Sequence, residues 1–392
     1  MPLTVADVVA VLEEHYPPRT AQDWDAVGLV LGDPAAAVTS VVLAVDPTEE
    51  VVTEALARGA DLLLTHHPLY LRGTSSVAAT DPKGRAVHRL VTGGCALYAA
   101  HTNADAAADG VSQALADLLG LTRTVPVEPL DAPALDTLTT FVPRDSTAGV
   151  LDALAAAGAG RLGDYERAAF HSPGTGTFRP LPGAHPAVGQ VGTVEDVAED
   201  RLEMVLPRER RAAVLAALRQ AHPYEEPAHS LVAQAPVPAD TGTGRIGRLP
   251  EAMTLRAFAE LVARVLPPTA QGIRVGGDLD AEVRTVAVCG GSGDSLLGRV
   301  RSLGADVYLT ADLRHHPASE HLAGGRPFLV DATHWASEWP WLPRAAEVLR
   351  AAALARGARL DLHVSTLVTD PWAVHLPQTP SGAASPHEGA SS

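Results

Sequence analysis

Two adjacent histidines follow an apolar stretch in the first third of the chain. Residues 62–64 are three leucines that predict a strand, and Thr65, His66, His67 and Pro68 come directly after them. In a parallel sheet, ligands bind at the carboxyl ends of the strands, and neutral imidazole is a ligand for transition metals. For an isolated pair, surface histidines in a turn closed by Pro68 would be the favoured interpretation, so the metal hypothesis depends on other residues.

A histidine four residues before a carboxylate occurs in two corresponding segments, as His101 with Asp105 and as His334 with Glu338. If each segment turns helical after its histidine, both side chains of a pair face the same side. One such pair is common by chance, and duplication alone could have preserved helix-capping residues. Two pairs beside the adjacent histidines nevertheless favour a metal site. Because carboxylates can bridge two cations, a dinuclear site is the simplest interpretation.

Asp312 occupies the place in the second half that His67 occupies in the first, after Thr310 and Ala311. It could be a metal ligand, a general base or a partner that orients a metal-bound histidine. It could equally be the N-cap of a helix. His101 and Asp312 are therefore the candidates for proton transfer, and His315 and His316 are expected to flank the same crevice.

The elements that would position these residues occur twice. Residues 41–67 and 286–316 each show an apolar strand, a turn, a helical stretch and a Gly-Ala-Asp turn into a second strand. Residues 95–105 and 328–338 continue the match, since each contains a strand that ends near a histidine. We therefore predict an α/β fold in which two related halves, residues 1–125 and 245–374, form one core of parallel strands with crossover helices.

The segment between the halves, residues 126–244, has an internal repeat of its own. Residues 138–160 align with 202–224, and each copy contains a strand, a proline and then a helix with an acidic first turn. The order strand, helix, strand, twice over, predicts an inserted ferredoxin-like α+β domain. Residues 375–392 are rich in Pro, Gly and Ser and are expected to be a disordered tail.

Three further motifs allow two interpretations each. The segment His222-Pro223-Tyr224-Glu225-Glu226-Pro227 resembles a metal-ligand cluster, but its prolines favour a rigid turn with a structural or interface role. Residues 174–178 and 290–294 are glycine-rich loops. The second loop follows a strand and opens a helix, so it could hold an anion, although a tight turn explains it nearly as well.

Composition excludes several classes of protein. The chain has 392 residues, with 30 Lys plus Arg against 46 Asp plus Glu, for a net charge of −16. That balance disfavours a broad nucleic-acid or membrane interface. The two cysteines, Cys95 and Cys289, cannot form a disulfide framework or a cysteine-rich zinc site. With no basic leader and no long apolar run, we expect a cytoplasmic protein without a membrane span.

The sequence resembles the NGG-interacting-factor-three-like, dinuclear-metal-centre proteins, which are often labelled GTP cyclohydrolase 1 type 2 homologues. The resemblance extends to about Trp372. It is based on these motifs in combination: Trp24-Asp25 with Gly28-Leu29, residues 65–68, residues 101–105, residues 174–180, residues 222–227, Thr333-His334 with Glu338, and residues 369–371.

The resemblance implies two divalent metal ions, of Zn, Fe, Mn, Co or Ni, between the two halves. By position it implies that the metal ligands are His66, His67, Asp105, His334 and Glu338. Glu338 and Asp105 would be the bridging groups, and His101 an additional ligand or a close neighbour. It also implies a toroidal homohexamer and a regulator-like insert.

Two functions are compatible with these residues and with the resemblance. The first is a metal-dependent hydrolase of a nucleotide or related small molecule, with GTP suggested by the family label. The second is a non-enzymatic metal-binding regulatory or metal-handling protein, which the regulator-like insert favours. The net charge of −16 makes a nucleic-acid partner the weakest hypothesis.

Overall fold

The computed structural model of the chain describes residues 2–377. The predicted tail lies outside these residues from 378 onward, and residues 375–377 adopt no regular structure. Within the described part of the chain, none of the helices combines the length and the apolar character that crossing a membrane requires.

The first half of the core contains a parallel sheet with helices between its strands. The strands of this half are β1 (Leu3–Thr4), β2 (Gly28–Leu31), β3 (Ala37–Val38), β4 (Ser40–Ala44), β5 (Leu62–Thr65) and β6 (Ala96–Ala99). β1 and β3 form a separate two-stranded sheet, and β2 joins the main sheet antiparallel to β6. The helices of this half are α1 (Val5–His15), α2 (Glu49–Ala57), α3 (Pro82–Thr92), α4 (Thr102–Ala106) and α5 (Val111–Leu118). β5 pairs in parallel with β4 and with β6, so the ends of these strands meet at one edge of the sheet.

Local sequence explains where the crossover helices start. The Thr48 side chain accepts a hydrogen bond from the Val51 amide at the start of α2. Asp81 caps α3 in the same way, and Pro82 occupies the first helical position, where its missing N–H leaves no helical hydrogen bond unmade.

The insert follows as a four-stranded antiparallel sheet with two helices. The chain first forms β7 (Thr122–Asp131), which belongs to the core. The elements of the insert are β8 (Leu135–Pro143), α6 (Thr147–Ala156), β9 (Phe170–Phe178), β10 (Glu195–Pro207), α7 (Arg211–Ala221) and β11 (His229–Ala233). The sheet order β11-β8-β10-β9 with this chain order is the ferredoxin-like arrangement. The sequence prediction of an inserted ferredoxin-like domain is therefore confirmed. Residues 131–239 form a compact unit, separate from the unit formed by the rest of the described chain.

The second half repeats the architecture of the first. Its elements are β12 (Pro238–Thr254), α8 (Leu255–Val265), β13 (Arg274–Gly276), β14 (Glu282–Ser292), α9 (Leu297–Ser302), β15 (Val307–Ala311), α10 (His315–Ala323), β16 (Phe328–Ala332), α11 (His334–Glu338), α12 (Trp341–Ala355) and β17 (Asp361–Val364). β14, β15 and β16 are parallel neighbours, as the repeat predicts.

The two halves form one core because each contributes a strand to the other's sheet. β17 pairs in parallel with β4, which completes the order β17-β4-β5-β6-β2. β7 joins the second sheet at β12, which gives the order β13-β16-β15-β14-β12-β7. Buried apolar side chains from both halves belong to one cluster, among them Leu64, Val286 and Trp341. The predicted α/β fold with two related halves in one core is confirmed.

Candidate metal centre

Strand ends bring the predicted residues of the site together. His66 and His67 follow β5 directly, and His101 lies two residues after the neighbouring strand β6. In the second half, β16 leads through Thr333 to His334 at the start of α11. Glu338 lies one helical turn after His334, so both side chains face the same side of α11.

Glu338 lies at the centre of the cluster and is only 3% exposed. Its Oε1 atom is 2.9 Å from Nε2 of His334 and 3.5 Å from Nε2 of His66. Its Oε2 atom is 3.1 Å from Nε2 of His67. Asp105 approaches the same Nε2 atom of His66, which lies 3.7 Å from its Oδ1 atom. One buried carboxylate therefore faces three imidazoles from both halves of the core.

Two overlapping groups of side chains have the spacing that a metal ion needs. His66, His67 and His101 form one group, and His67, His334 and Glu338 form the other. In each group the ligand atoms lie within 4.8 Å of one another. These residues could therefore hold a metal ion.

All four histidines point their Nε2 atoms towards the cluster because their Nδ1 atoms are bound elsewhere. The Nδ1 atoms bond the carbonyl of Ala100 (from His66, 2.8 Å), Asp46 (from His67, 2.6 Å), Asp25 (from His101, 2.8 Å) and Asp312 (from His334, 2.7 Å). Each Nδ1 donates to an oxygen, which leaves the Nε2 lone pair free for a cation. Carboxylate or carbonyl partners of this kind are typical of metal-binding histidines.

The sequence reasoning missed two of these partners. Asp46 lies two residues after β4, at the same sheet edge as His67, and that position was a usable signal. Asp25 lies in an irregular segment, where it also accepts hydrogen bonds from the Thr102 amide (3.0 Å) and hydroxyl (2.5 Å). No local pattern predicts that contact.

Asp312 accepts a hydrogen bond from Nδ1 of His334. Its backbone is in the left-handed region, with φ 55°, directly after β15, and this turn aims the carboxylate at Nδ1 of His334. The helix-cap interpretation is wrong, because α10 begins at His315 and its N-cap is Arg314. His315 and His316 are exposed at the start of α10, and neither belongs to the two ligand groups.

The second glycine-rich loop packs directly against the cluster. Gly291 has φ +67°, and a Cβ there would lie 2.4 Å from Oε1 of Glu338. Its amide donates to the Ser337 hydroxyl at 2.9 Å, and its carbonyl accepts from Thr310 at 3.0 Å. The loop thus leaves room for the central carboxylate, a role that the sequence interpretation as a turn or an anion site did not include.

The carboxylates of the cluster stabilise positive charge on the groups around them. Burial lowers the pKa of His67, but Glu338 and Asp46 outweigh it and raise that pKa to about 11. Burial likewise lowers the pKa of His334, while Glu338 and Asp312 raise it to about 10. Burial opposes ionisation of Glu338, yet the surrounding imidazoles hold its pKa well below the usual range. Without a metal ion, protons would supply the charge that the carboxylates attract.

The pKa values of His101 and Asp105 shift in the opposite sense to those of His334 and Glu338. Burial, with the charge of His66 nearby, lowers the pKa of His101 to about 4, so its imidazole is neutral at physiological pH. Burial raises the pKa of Asp105 to about 6, against the attraction of His66. A divalent cation would favour the ionised form of Asp105 and would leave the neutral His101 available as a ligand.

Several buried polar atoms of the cluster have no hydrogen-bond partner in the described part of the chain. These are Nε2 of His66, Oδ1 of Asp105 and Oε2 of Glu338. Such atoms are costly in a folded protein unless a ligand satisfies them. Imidazole nitrogen and carboxylate oxygen are the donors that divalent transition metals accept. The residues present therefore fit a metal ion.

Comparisons with known proteins find similarity over nearly the whole chain. The profile of the family described as Duf34/NIF3 (NGG1p interacting factor 3) matches residues 3–371. A Mycobacterium tuberculosis protein named GTP cyclohydrolase 1 type 2 homolog is 52% identical over 373 residues, which cover 95% of this chain and 97% of the relative.

Two solved structures are similar to this chain over nearly its whole length. A Bacillus cereus protein related to NIF3 is 35% identical, with a TM-score of 0.75 and coverage of 96% of this chain and 100% of the other. A Staphylococcus aureus protein is 28% identical, with a TM-score of 0.83 and coverage of 95% and 99%. The fold, the residues at the strand ends and these similarities together show that the chain belongs to the Duf34/NIF3 (NGG1p interacting factor 3) family.

Proposed function

We propose that this protein binds two divalent metal ions at the Glu338 cluster and uses them to hydrolyse a nucleotide or a related small molecule. The observation that carries the proposal is the position of Glu338. Its two carboxylate oxygens face different imidazoles, and ligand groups on either side share His67. A carboxylate that bridges two ions would be surrounded by imidazole ligands in this way.

The ligands in this proposal are those that the resemblance implied: His66, His67, Asp105, His334 and Glu338. Glu338 and Asp105 would bridge the ions, because each has an oxygen near His66, at 3.5 Å and 3.7 Å. His101 would be a further ligand or would stay close to the ions, since it belongs to the group that contains His66 and His67.

Two ions at this place would lower the pKa of a bound water and stabilise negative charge on a substrate oxygen. The chain's own residues would do the rest. Asp46 and Asp312 fix the rings of His67 and His334. Because Asp312 is occupied in this way, the neutral His101 is the better candidate to accept a proton. Its Nε2 atom faces the cluster while Asp25 holds its Nδ1 atom.

A cavity beside His67 offers space for a substrate. It has a volume of about 440 Å³, and Asp46, Thr48, His67 and Lys83 are among its lining residues. Lys83 would suit an anionic group such as a phosphate, while two glutamates on the same cavity, Glu49 and Glu50, would limit how much negative charge enters. A nucleotide whose phosphates reach Lys83 is the substrate class that this arrangement and the relatives' name together favour.

The experiment that tests this proposal is elemental analysis of gently purified protein, followed by a hydrolysis screen with the metal found. GTP, other nucleotides and simple phosphoesters are the substrates to compare. The proposal predicts turnover that disappears with the metal and in a Glu338→Gln variant. Bound metal without turnover of any of these substrates would instead support the metal-handling alternative.

We also propose that the protein forms the toroidal homohexamer that the resemblance implies and acts in the cytoplasm. The apolar side chains on the surface of the insert support self-association, since Leu162, Phe170 and Val232 are 42%, 63% and 59% exposed. Light scattering on the full chain measures the mass directly. A monomer at micromolar concentration would contradict the hexamer.

A further inference from the structure

The insert contains a second cavity that the metal chemistry does not use. Its volume is about 730 Å³, within the range of about 300–1,000 Å³ that is typical of small-molecule sites. It is formed by residues of β9 and β10, the loop after β9 and the turn at 222–227. Residues from two motifs of the sequence analysis, 174–178 and 222–227, therefore line the same cavity.

The walls of this cavity are mainly apolar. Phe178 and Tyr224 pack edge to face, with ring centroids 5.5 Å apart, and Phe141 and Pro186 add to the same lining. Aromatic rings at this spacing give a ligand apolar contact area, and their faces attract cations.

One carboxylate in the lining is buried. Glu199 is 6% exposed, and its Oε1 accepts a hydrogen bond of 2.7 Å from the Tyr224 hydroxyl. Within the described part of the chain, no hydrogen-bond donor reaches its Oε2. This oxygen is not among the fully buried unpaired atoms, so it is accessible from the cavity and free to pair with a cationic ligand there.

Gly176 makes room for this carboxylate. A Cβ at Gly176 would lie 2.0 Å from Oε2 of Glu199. The φ of Gly176 is not in the left-handed region, so the backbone itself would accept another residue. The glycine at this position therefore serves the placement of Glu199 rather than a turn.

The remaining charges of the lining are mostly negative. Glu225 and Glu226 line the cavity together with Glu199, and the only guanidinium in the lining, Arg201, is bound to Glu203 at 2.5 Å. An anionic ligand would meet three carboxylates, whereas a cation would gain a buried ion pair with Glu199.

We propose that this cavity binds a small organic cation, an amine on an aromatic or apolar body, with the ammonium group paired to Glu199. The apolar walls hold the body of the ligand, and Tyr224 holds the carboxylate in place. The inference does not depend on the proposed hydrolase activity, because every residue involved lies in the insert.

Calorimetric titration of the full-length protein with tryptamine tests the proposal. Tryptophol replaces the ammonium group by a hydroxyl, and indole-3-propionate replaces it by a carboxylate. We expect tryptamine to bind at least about tenfold more tightly than tryptophol, because a hydrogen-bonded buried charge pair contributes that much. We expect indole-3-propionate not to bind. Equal binding of the three probes, or no binding of tryptamine because a second copy of the chain fills the cavity, would overturn the proposal.

Two matched pairs of variants locate the binding. Glu199→Gln keeps the shape and the acceptor for Tyr224 but removes the charge, so tryptamine affinity should fall at least about tenfold while tryptophol affinity stays the same. Glu209→Gln removes an equal charge from an exposed position outside the cavity and should change neither.

Gly176→Ala should weaken tryptamine binding, whereas Gly149→Ala, which lies in α6 outside the cavity lining and where a Cβ would have no atom within 4 Å, should not. This pair keeps the proposal testable if Glu199→Gln does not fold. Unchanged tryptamine affinity in a folded Glu199→Gln or Gly176→Ala variant would contradict the role of Glu199.

Discussion

The Nε2 atom of His67 lies 3.2 Å from the Nε2 atom of His334, which is 267 residues further along the chain. Two imidazole nitrogens bound to one tetrahedral zinc ion lie about 3.3 Å apart, since each Zn–N bond is about 2.0–2.1 Å long. The two histidines come from different halves of the core. Their spacing is thus the one that a shared ion would impose.

Glu338→Gln should remove most of the bound metal, because among residues 2–377 Glu338 is the only carboxylate that faces His66, His67 and His334 together. An amide is a far weaker ligand than a carboxylate and cannot neutralise a cation. Elemental analysis of the purified variant measures the loss. Glu347→Gln, on the exposed face of α12, is the control and should keep its metal. Wild-type metal content in Glu338→Gln would rule out this carboxylate as a ligand.

Asp312→Ala should lower metal affinity by about 10–100-fold without removing a ligand, because His334 loses the partner that fixes its ring. Asp312→Asn keeps an acceptor for Nδ1 and should lose less. Asp46→Ala and Asp46→Asn should show the same order through His67. Competition with a chromogenic chelator measures these affinities.

The control for these variants is Asp152→Ala, which breaks an exposed ion pair with Arg167 in the insert. It should leave metal affinity unchanged. If the Asp312 and Asp46 variants kept the metal affinity of this control, the explanation that these carboxylates fix the rings of His334 and His67 would be wrong.

Gly291→Ala should damage the metal centre although Gly291 carries no ligand atom. The φ of +67° costs an L-residue about 1–2 kcal/mol, and the new Cβ would lie 2.4 Å from Oε1 of Glu338. We expect reduced metal content and a lower melting temperature. Gly298→Ala lies in α9 with no atom within 4 Å of the new Cβ, so it should keep its metal and gain up to about 1 kcal/mol. Similar metal content in the two variants would contradict the claim that Gly291 leaves room for the Glu338 carboxylate.

Acidification should destabilise the insert through His222. Its Nε2 atom donates to the Phe141 carbonyl at 2.9 Å, and its Nδ1 atom accepts from the Tyr224 amide at 3.1 Å, which requires the neutral ring. Burial lowers the pKa of His222, against the weaker opposing effects of the Phe141 carbonyl and Glu199. Below the unfolded pKa of about 6.5, the unfolded chain therefore binds more protons than the folded one, and stability falls as pH falls.

Chemical denaturation at a series of pH values measures this loss. A His222→Gln variant should lose less stability between about pH 7 and pH 5 than the wild type, since it lacks the titrating group. His315→Gln, at an exposed position of α10, should follow the wild type. An identical pH dependence in the wild type and the His222 variant would show that this histidine does not titrate in the expected range.

The duplicated pattern made the fold and much of the site predictable. Parallel strands place their carboxyl ends together, so His66, His67 and His101 could be grouped from the sequence. The repeat then related them to His334 and Glu338. The structure brings these residues together, and their role as ligands is the proposal that the experiments above test.

Other parts of the site depend on contacts that no local pattern encodes. Asp25 reaches His101 from an irregular segment 76 residues earlier in the chain. The exchange of β17 and β7 between the two sheets is likewise a long-range pairing, which one-dimensional periodicity cannot reveal. The position of Gly291 against Glu338 follows from a left-handed turn whose partner lies 47 residues later.

The number of metal ions per chain is the most direct test of the central claim. Gently purified wild-type protein, analysed for metals with the protein concentration measured independently, should contain two divalent transition-metal ions per chain. One ion per chain would contradict the bridging role of Glu338, and a protein that neither retains nor takes up metal would contradict the metal centre altogether.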